Sequence, residues 1–297
     1  MYANDEEGIA YLTEKVFPGR KVTRSARLGG LTNHSYDVTL DDGNRYVYRF
    51  AGEGTEEIIN RGDEKISTEL ATSLGIDTEL FYFGENYEKI MRYVEDAETI
   101  TAETMKDPKR IAQVAEIFRK LHTCGKDTGV KFEIFEMVDA YLKVIRDLNV
   151  PMFDDFDDMR ETVMKINRDT EADLGRRRVP CHNDALCANW VASPERLYLI
   201  DWEYAGMNDP FWDIADVSIE AEFNSEEDDL ILKEYLQKEP TEDDRKHFLA
   251  YKIFVDYLWT LWAKARVPYD GQPMEDWAEE RYARFKENVK TYTSLYN

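Results

Sequence analysis

The chain has 297 residues, 43% of them hydrophobic, enough to bury the core of one large domain or two modest ones. Its formal net charge of −23 argues against nucleic acid or an anionic membrane surface as a partner, since both are polyanions, and is compatible with a small cationic substrate. No stretch approaches the ~18 consecutive apolar residues of a spanning helix, and the acidic, amphipathic start MYANDEEGIAYLTEKVF reads as neither a span nor a signal peptide. The three cysteines, Cys124, Cys181 and Cys187, are odd in number and lack CxxC spacing, which reads as a reduced, cytoplasmic protein without a zinc site.

In chain order, KVTRSARLGGLTNHSYDVTLDDGNRYVYRF predicts a strand, a glycine turn and a hairpin closed at Asp42-Gly43. In its last strand Tyr46, Tyr48 and Phe50 alternate with Arg45, Val47 and Arg49, so Arg49 points away from the aromatic face. TEEIINRGDEKISTELATSLGID predicts a helix ending near Gly75, and TELFYFGENYEKIMRYVE two short strands about a Gly-Glu-Asn turn. After about Val94 the pattern turns helical. Ile111, Val114, Ala115, Phe118 and Leu121 form one stripe, helices follow over 133–148 and 156–174, and a further helix starts beyond Pro240 with Thr241 as N-cap. The acidic runs FDDFDD and EFNSEEDD read as solvated loops or helix starts. The result is an α+β chain: a small β-rich segment, 1–94, and a larger, mainly helical segment, 95–297.

The one β-looking piece of the helical segment is CHNDALCANWVASPERLYLIDWEYAG, from Cys181 to Gly206. Asp184 and Asn189 have the spacing of a kinase catalytic loop, where the Asp accepts a substrate hydroxyl proton and the Asn five residues on binds Mg²⁺. Twelve residues later Asp201 ends the apolar run Leu197–Ile200, which sets a hard carboxylate at a strand terminus where Mg²⁺ needs oxygen ligands. His182 is expected to hydrogen-bond the loop backbone rather than to shuttle protons. Phosphoryl transfer also needs a cation for the phosphates. Arg49 and Glu64 could pair for that purpose, or be a surface Arg and an acid favoured by a helix start. LGGLTNHSY, with Thr32 and Asn33 as its nucleotide contacts, stands where a phosphate-covering loop belongs, but it lacks GxGxxG and reads equally as a hairpin turn.

With HND followed by Asn189, then LIDWEYAG and MNDPFWDIA, the chain resembles the choline/ethanolamine kinase family, among aminoglycoside-phosphotransferase-like kinases, and most of all the bacterial choline kinases of phosphorylcholine decoration. The resemblance covers nearly the whole chain. It implies a bilobal, protein-kinase-like fold with ATP in a cleft, Asp184 as catalytic base, and Asn189 and Asp201 as Mg²⁺ ligands. It further implies Arg49 on the phosphates with Glu64 as its partner, and Tyr93 and Val94 offering backbone groups to adenine. Ala185 stands where the family commonly has Leu, a change in packing rather than chemistry.

The substrate reading follows the same path. Trp259 and Trp262 share a helix face, and Trp277 follows. By themselves such rings read as core. The resemblance makes them a cage for choline's quaternary ammonium, with Tyr204 and Glu220 beside them, because a nitrogen without hydrogens is held by π faces and carboxylates. An aminoglycoside or thiamine kinase on the same scaffold is one alternative, and a non-catalytic module that binds a nucleotide or quaternary amine is another. Oligomeric state is not legible in the sequence.

Overall fold

The computed structural model describes residues 4–28, 33–51 and 61–296. Helix α1 (Asp5–Val16) is capped by Asn4, whose side chain accepts the Glu7 N–H, and it opens on Asp5, Glu6 and Glu7, where the helix dipole favours negative charge. A five-stranded antiparallel sheet follows, formed by β1 (Val22–Arg27), β2 (Asn33–Leu40), β3 (Arg45–Ala51), β4 (Leu80–Phe83) and β5 (Lys89–Arg92) in the order β1-β2-β3-β5-β4. The alternation read in β3 decides its faces. Tyr46, Tyr48 and Phe50 join Ile9, Leu12, Val38, Leu40 and Ile90 in one core, and Arg49 takes the other side. The β2–β3 hairpin turns at Gly43, at φ 83°, with its N–H on the Leu40 carbonyl at 3.0 Å. Helix α2 (Arg61–Ser73) precedes β4 and ends in a turn through Gly75.

The chain divides into two compact units, Met1–Ile100 with Ala188–Ala205, and Thr101–Cys187 with Gly206–Asn297. The division expected at 94/95 differs from this in two places, for one reason. Strand β6 (Glu98–Thr99) pairs with β8 (Trp190–Ala192), which pairs in turn with β9 (Leu197–Leu199), and the Leu199 N–H reaches the Ile76 carbonyl at 3.2 Å. Residues 95–100 and 188–205 therefore belong with the first unit.

In the second unit, α3 (Ala102–Met105), α4 (Pro108–His122), α5 (Ile134–Asp147) and α6 (Phe156–Leu174) lead to a two-stranded ribbon of β7 (Val179–Cys181) and β10 (Gly206–Asn208). Helices α7 (Phe211–Glu220), α8 (Ser225–Leu236), α9 (Glu242–Asp270) and α10 (Gln272–Tyr296) complete it. From His247 to Ala265 almost every side of α9 is buried, as befits a helix packed by α5, α6, α7 and α10. Thr241 caps it in a capping box with Asp244, as expected. The acidic runs are helix starts. Asn224 caps α8 with Glu227, and Asp155 before α6 accepts from the Tyr282 hydroxyl at 2.8 Å. The Arg176–Arg178 run is spent on structure, with Arg176 on Asn167 at 2.7 Å and Arg178 on Glu133 at 2.8 Å. Among the described residues no helix is long and apolar enough to cross a membrane.

Candidate active site

In the first unit the Arg49–Glu64 pair forms. The guanidinium of Arg49, projecting from β3, lies against the fully buried Glu64 carboxylate of α2, and its Nη1 donates to Asp201 Oδ1 at 3.5 Å. Glu64 is shared. Arg61 Nη1 donates to it at 2.9 Å and Lys89 Nζ, from β5, at 3.3 Å. Burial acts to raise the Glu64 carboxyl, but Lys89, Arg49 and Arg61 overcome it and hold it at about 2. Arg61 also reaches Glu203 and Asn33, both at 3.1 Å, and the Asn33 amide donates to Glu203 at 3.1 Å. Asn33 is thus a member of this charge network, whereas Thr32 lies outside the described residues. Burial and the Asp201 charge raise Glu203. Burial pushes Asp77 up to about 6, against the pull of Lys89.

The β8–β9 hairpin positions the two candidate metal ligands. Asn189 ends a 3-10 turn (Cys187–Asn189), and its carbonyl accepts the Ile200 N–H at 2.9 Å, which brings residues 189 and 201 to the same end of the hairpin. Asp201 sits at φ 65°, a left-handed conformation that costs a non-glycine residue strain and turns the chain sharply after β9. Trp202, 1% exposed, anchors that turn by donating its indole N–H to the Leu199 carbonyl at 3.1 Å. Tyr204 is half-buried in the same segment. The Tyr93 N–H serves the Arg45 carbonyl at 3.3 Å, and Val94 beside it is half-buried.

In the second unit the HND loop is held by two carboxylates of α7. Asp213 accepts the backbone N–H of His182 at 2.9 Å and of Asn183 at 2.8 Å, and Asp216 accepts that of Ala185 at 2.5 Å. Asn183, at φ 67°, is clamped through its carbonyl by the Trp212 indole and through its side chain by Asn208, both at 2.9 Å. His182 accepts the Asp184 N–H on Nδ1 at 3.3 Å, the backbone role expected of it. Asp184 itself is half-buried. Burial, and then the Asp184 charge, raise the Asp216 carboxyl well above the usual range. Ala185 is fully buried, so its small size bears on packing, as anticipated.

Behind the loop, His122, Cys181 and Asp213 bring possible ligand atoms within 4.8 Å of one another. Each is already engaged. His122 bridges Asp213 and the Tyr235 hydroxyl, both at 2.9 Å, and the Cys181 thiol points at the Asn208 and Asp209 carbonyls at 3.6 Å. The trio braces β7 against α4 and α7.

The three tryptophans form a chain of edge-to-face contacts. Trp259 and Trp262 have ring centres 6.2 Å apart, and Trp262 and Trp277 5.8 Å, each pair at 83°. Trp259 is buried, while Trp262 and Trp277 keep part of their surface in solvent. Glu220 joins them through Arg281 of α10, which binds its carboxylate and lies over the Trp277 ring at 4.3 Å.

The structure therefore gathers Arg49, Glu64, Asn33 and Asp201 in one network, sets Asn189 beside Asp201 on the hairpin, and groups Trp259, Trp262, Trp277 and Glu220. Sequence reasoning missed Arg61, Lys89, Glu203, Asp213, Asp216 and Arg281. Only the i, i+3 spacing of Asp213 and Asp216 on one helix face offered a signal.

The choline/ethanolamine kinase family profile matches residues 25–266. Among solved structures, the choline kinase LicA from Streptococcus pneumoniae is 32% identical, covering 97% of this chain and 99% of its own, with a TM-score of 0.82. A choline/ethanolamine kinase family protein from Mesorhizobium loti is 31% identical, over 96% and 94%, at 0.84. A LicA solved with AMP is 30% identical, over 98% and 100%, at 0.79. Aminoglycoside phosphotransferase APH(2'')-Ib shares the kinase-like fold at 17% identity and a TM-score of 0.65. The chain belongs to the choline/ethanolamine kinase family, and is a nucleotide-using kinase that acts on the hydroxyl of a small amino alcohol.

Proposed function

We propose that the protein transfers the γ-phosphoryl group of ATP to the hydroxyl of choline, giving phosphocholine and ADP. The observation that carries the substrate half is the run of three perpendicular tryptophan rings in the unit that also bears Asp184. Choline's nitrogen has no hydrogen to donate, and each π face in contact with it is worth roughly 0.5–2 kcal/mol once desolvated. The nucleotide half rests on Arg49, a fixed cation beside Asp201, and on the AMP found in a LicA relative.

The donors at the hairpin end suit Mg²⁺. The Asp201 carboxylate and the Asn189 amide are hard oxygen ligands, and the Asp201 side chain is 36% exposed, open to an ion and to phosphate oxygens. Mg²⁺ held there by Asn189 and Asp201 would neutralise charge on the phosphates. The remaining work falls to side chains. Arg49, its direction fixed by Glu64, pairs with phosphate oxygens as a rigid fork. Asp184 orients the choline hydroxyl and accepts its proton as the new O–P bond forms and the bond to the ADP oxygen breaks. The carboxylates of Asp213 and Asp216 keep Asp184's loop from shifting during that transfer.

An ADP-release assay with choline, ethanolamine, thiamine and kanamycin, each with and without Mg²⁺, tests this reading. The expected result is the highest kcat/KM with choline and no turnover without Mg²⁺. Preference for thiamine or kanamycin, or release that no alcohol stimulates, would overturn it.

A further inference from the structure

The aromatic cluster contains a cation of its own. The Arg281 side chain is 2% exposed, stacks on Trp277 at 4.3 Å, binds the Glu220 carboxylate and donates to Asp256 Oδ1 at 2.9 Å. Asp256, fully buried, is taken up again by Arg284 through bonds of 2.9 and 2.7 Å. Two carboxylates of this cluster, Glu220 and Asp256, are thus matched by two guanidinium groups.

What this does to an incoming substrate depends on its nitrogen. A primary ammonium carries three N–H donors and a tightly held hydration layer, and it enters a site only where acceptors replace that water. A trimethylammonium has no donors, holds its water loosely and is satisfied by ring faces. Glu220 held by Arg281 is a poor acceptor for the first and no loss to the second.

We infer that Arg281 sets the specificity of the site: by engaging Glu220 and Asp256 it withholds acceptors from primary amines and leaves a pocket selective for quaternary ammonium. The inference rests on the choline reading above and sharpens it. Arg281 acts here as a positioning residue, through Glu220 and Asp256.

The test compares wild type, Arg281→Gln, Arg281→Lys and the double variant Arg281→Gln/Glu220→Gln, with kcat and KM for choline and for ethanolamine. Freeing Glu220 in Arg281→Gln lowers the ethanolamine KM far more than the choline KM, so the choline-to-ethanolamine ratio of kcat/KM drops roughly tenfold. Removing the freed carboxylate in the double variant brings the ratio back toward wild type, and Arg281→Lys falls between wild type and Arg281→Gln. A purely structural Arg281 would lower both substrates together and leave the ratio unmoved, which overturns the inference. Binding decides the matter independently of turnover. Quenching of tryptophan fluorescence should favour tetramethylammonium over methylammonium in the wild type and lose most of that preference in Arg281→Gln, and a preference that the substitution leaves unchanged would refute the assignment. Wild type that phosphorylates neither alcohol, with a tetramethylammonium preference that Arg281→Gln abolishes, would sink the choline reading while sustaining this one.

Discussion

In the first unit Asp201 stands among charged side chains. Arg49 reaches it, Glu64 holds Arg49, and Arg61 and Lys89 share Glu64. In the second unit Asp184 rides on a loop whose backbone N–H groups are captured by Asp213 and Asp216. The first arrangement is a balance of charges, in which three cations hold the buried Glu64 carboxyl low. The second is a mechanical clamp, in which Asp213 and Asp216 accept backbone N–H groups of a loop that takes a left-handed turn at Asn183. Substitutions in the first should therefore show in pH dependence, and those in the second in stability and geometry.

The largest effect should separate chemistry from clamp. Asp184→Asn removes the proton acceptor, and kcat should fall by about 10³-fold or more with nucleotide binding intact in a titration. Its stability should hold or rise, because the Asp184 charge raises the buried Asp216 and its removal relieves that repulsion. Asp213→Ala should behave in reverse. It strands two backbone N–H groups and His122, and urea unfolding should show a loss of about 3 kcal/mol together with reduced kcat. If both variants lost activity and neither lost stability, the clamp would be no clamp. A smaller effect is expected at the rings: Trp262→Ala should raise the choline KM roughly tenfold and change kcat little, and an unchanged KM would remove that ring from the site.

What was legible in the sequence was local. The Asp42-Gly43 turn, the two faces of β3, the apolar stripe of α4 and the Thr241 cap each follow from residues a few positions apart, and each formed. The two metal-ligand candidates were read locally too, Asn189 from its spacing to Asp184 and Asp201 from the end of the apolar run Leu197–Ile200. What was not legible came from far along the chain. Asp213 meets its loop from 31 positions away, Lys89 meets Glu64 from 25, and Arg281 meets Glu220 from 61. No periodicity carries such pairings. Strands of three residues, β8 and β9, carry almost none either, which is why their return to the first unit was missed. The tryptophan stripe turned out to be two things at once. Trp259 is packed as core, and Trp262 and Trp277 face partly outward.

The finest test of the charge balance is its response to acid. Glu64 is held at about 2, below its ordinary 4.5, so its contribution to stability is complete above pH 4.5 and is lost as pH falls toward 2. A shift of that size corresponds to roughly 3 kcal/mol at neutral pH. Asp77 runs the other way. Raised to about 6 from an ordinary 3.8, it binds its proton more readily in the folded chain, so acidification from pH 6 toward 4 favours folding through this group. The stability gap between wild type and Glu64→Gln should accordingly be widest near neutral pH and close below pH 4.5. Asp77→Asn should be the more stable protein at pH 7 and lose that advantage below about pH 4. The two curves bend in opposite directions because Lys89 sits near both carboxyls, but only at Glu64 do Arg49 and Arg61 join it to outweigh burial. A Glu64→Gln gap that stayed constant from neutral pH into acid would mean that Arg49 is positioned by packing alone, and the contrast drawn with the clamped loop would dissolve.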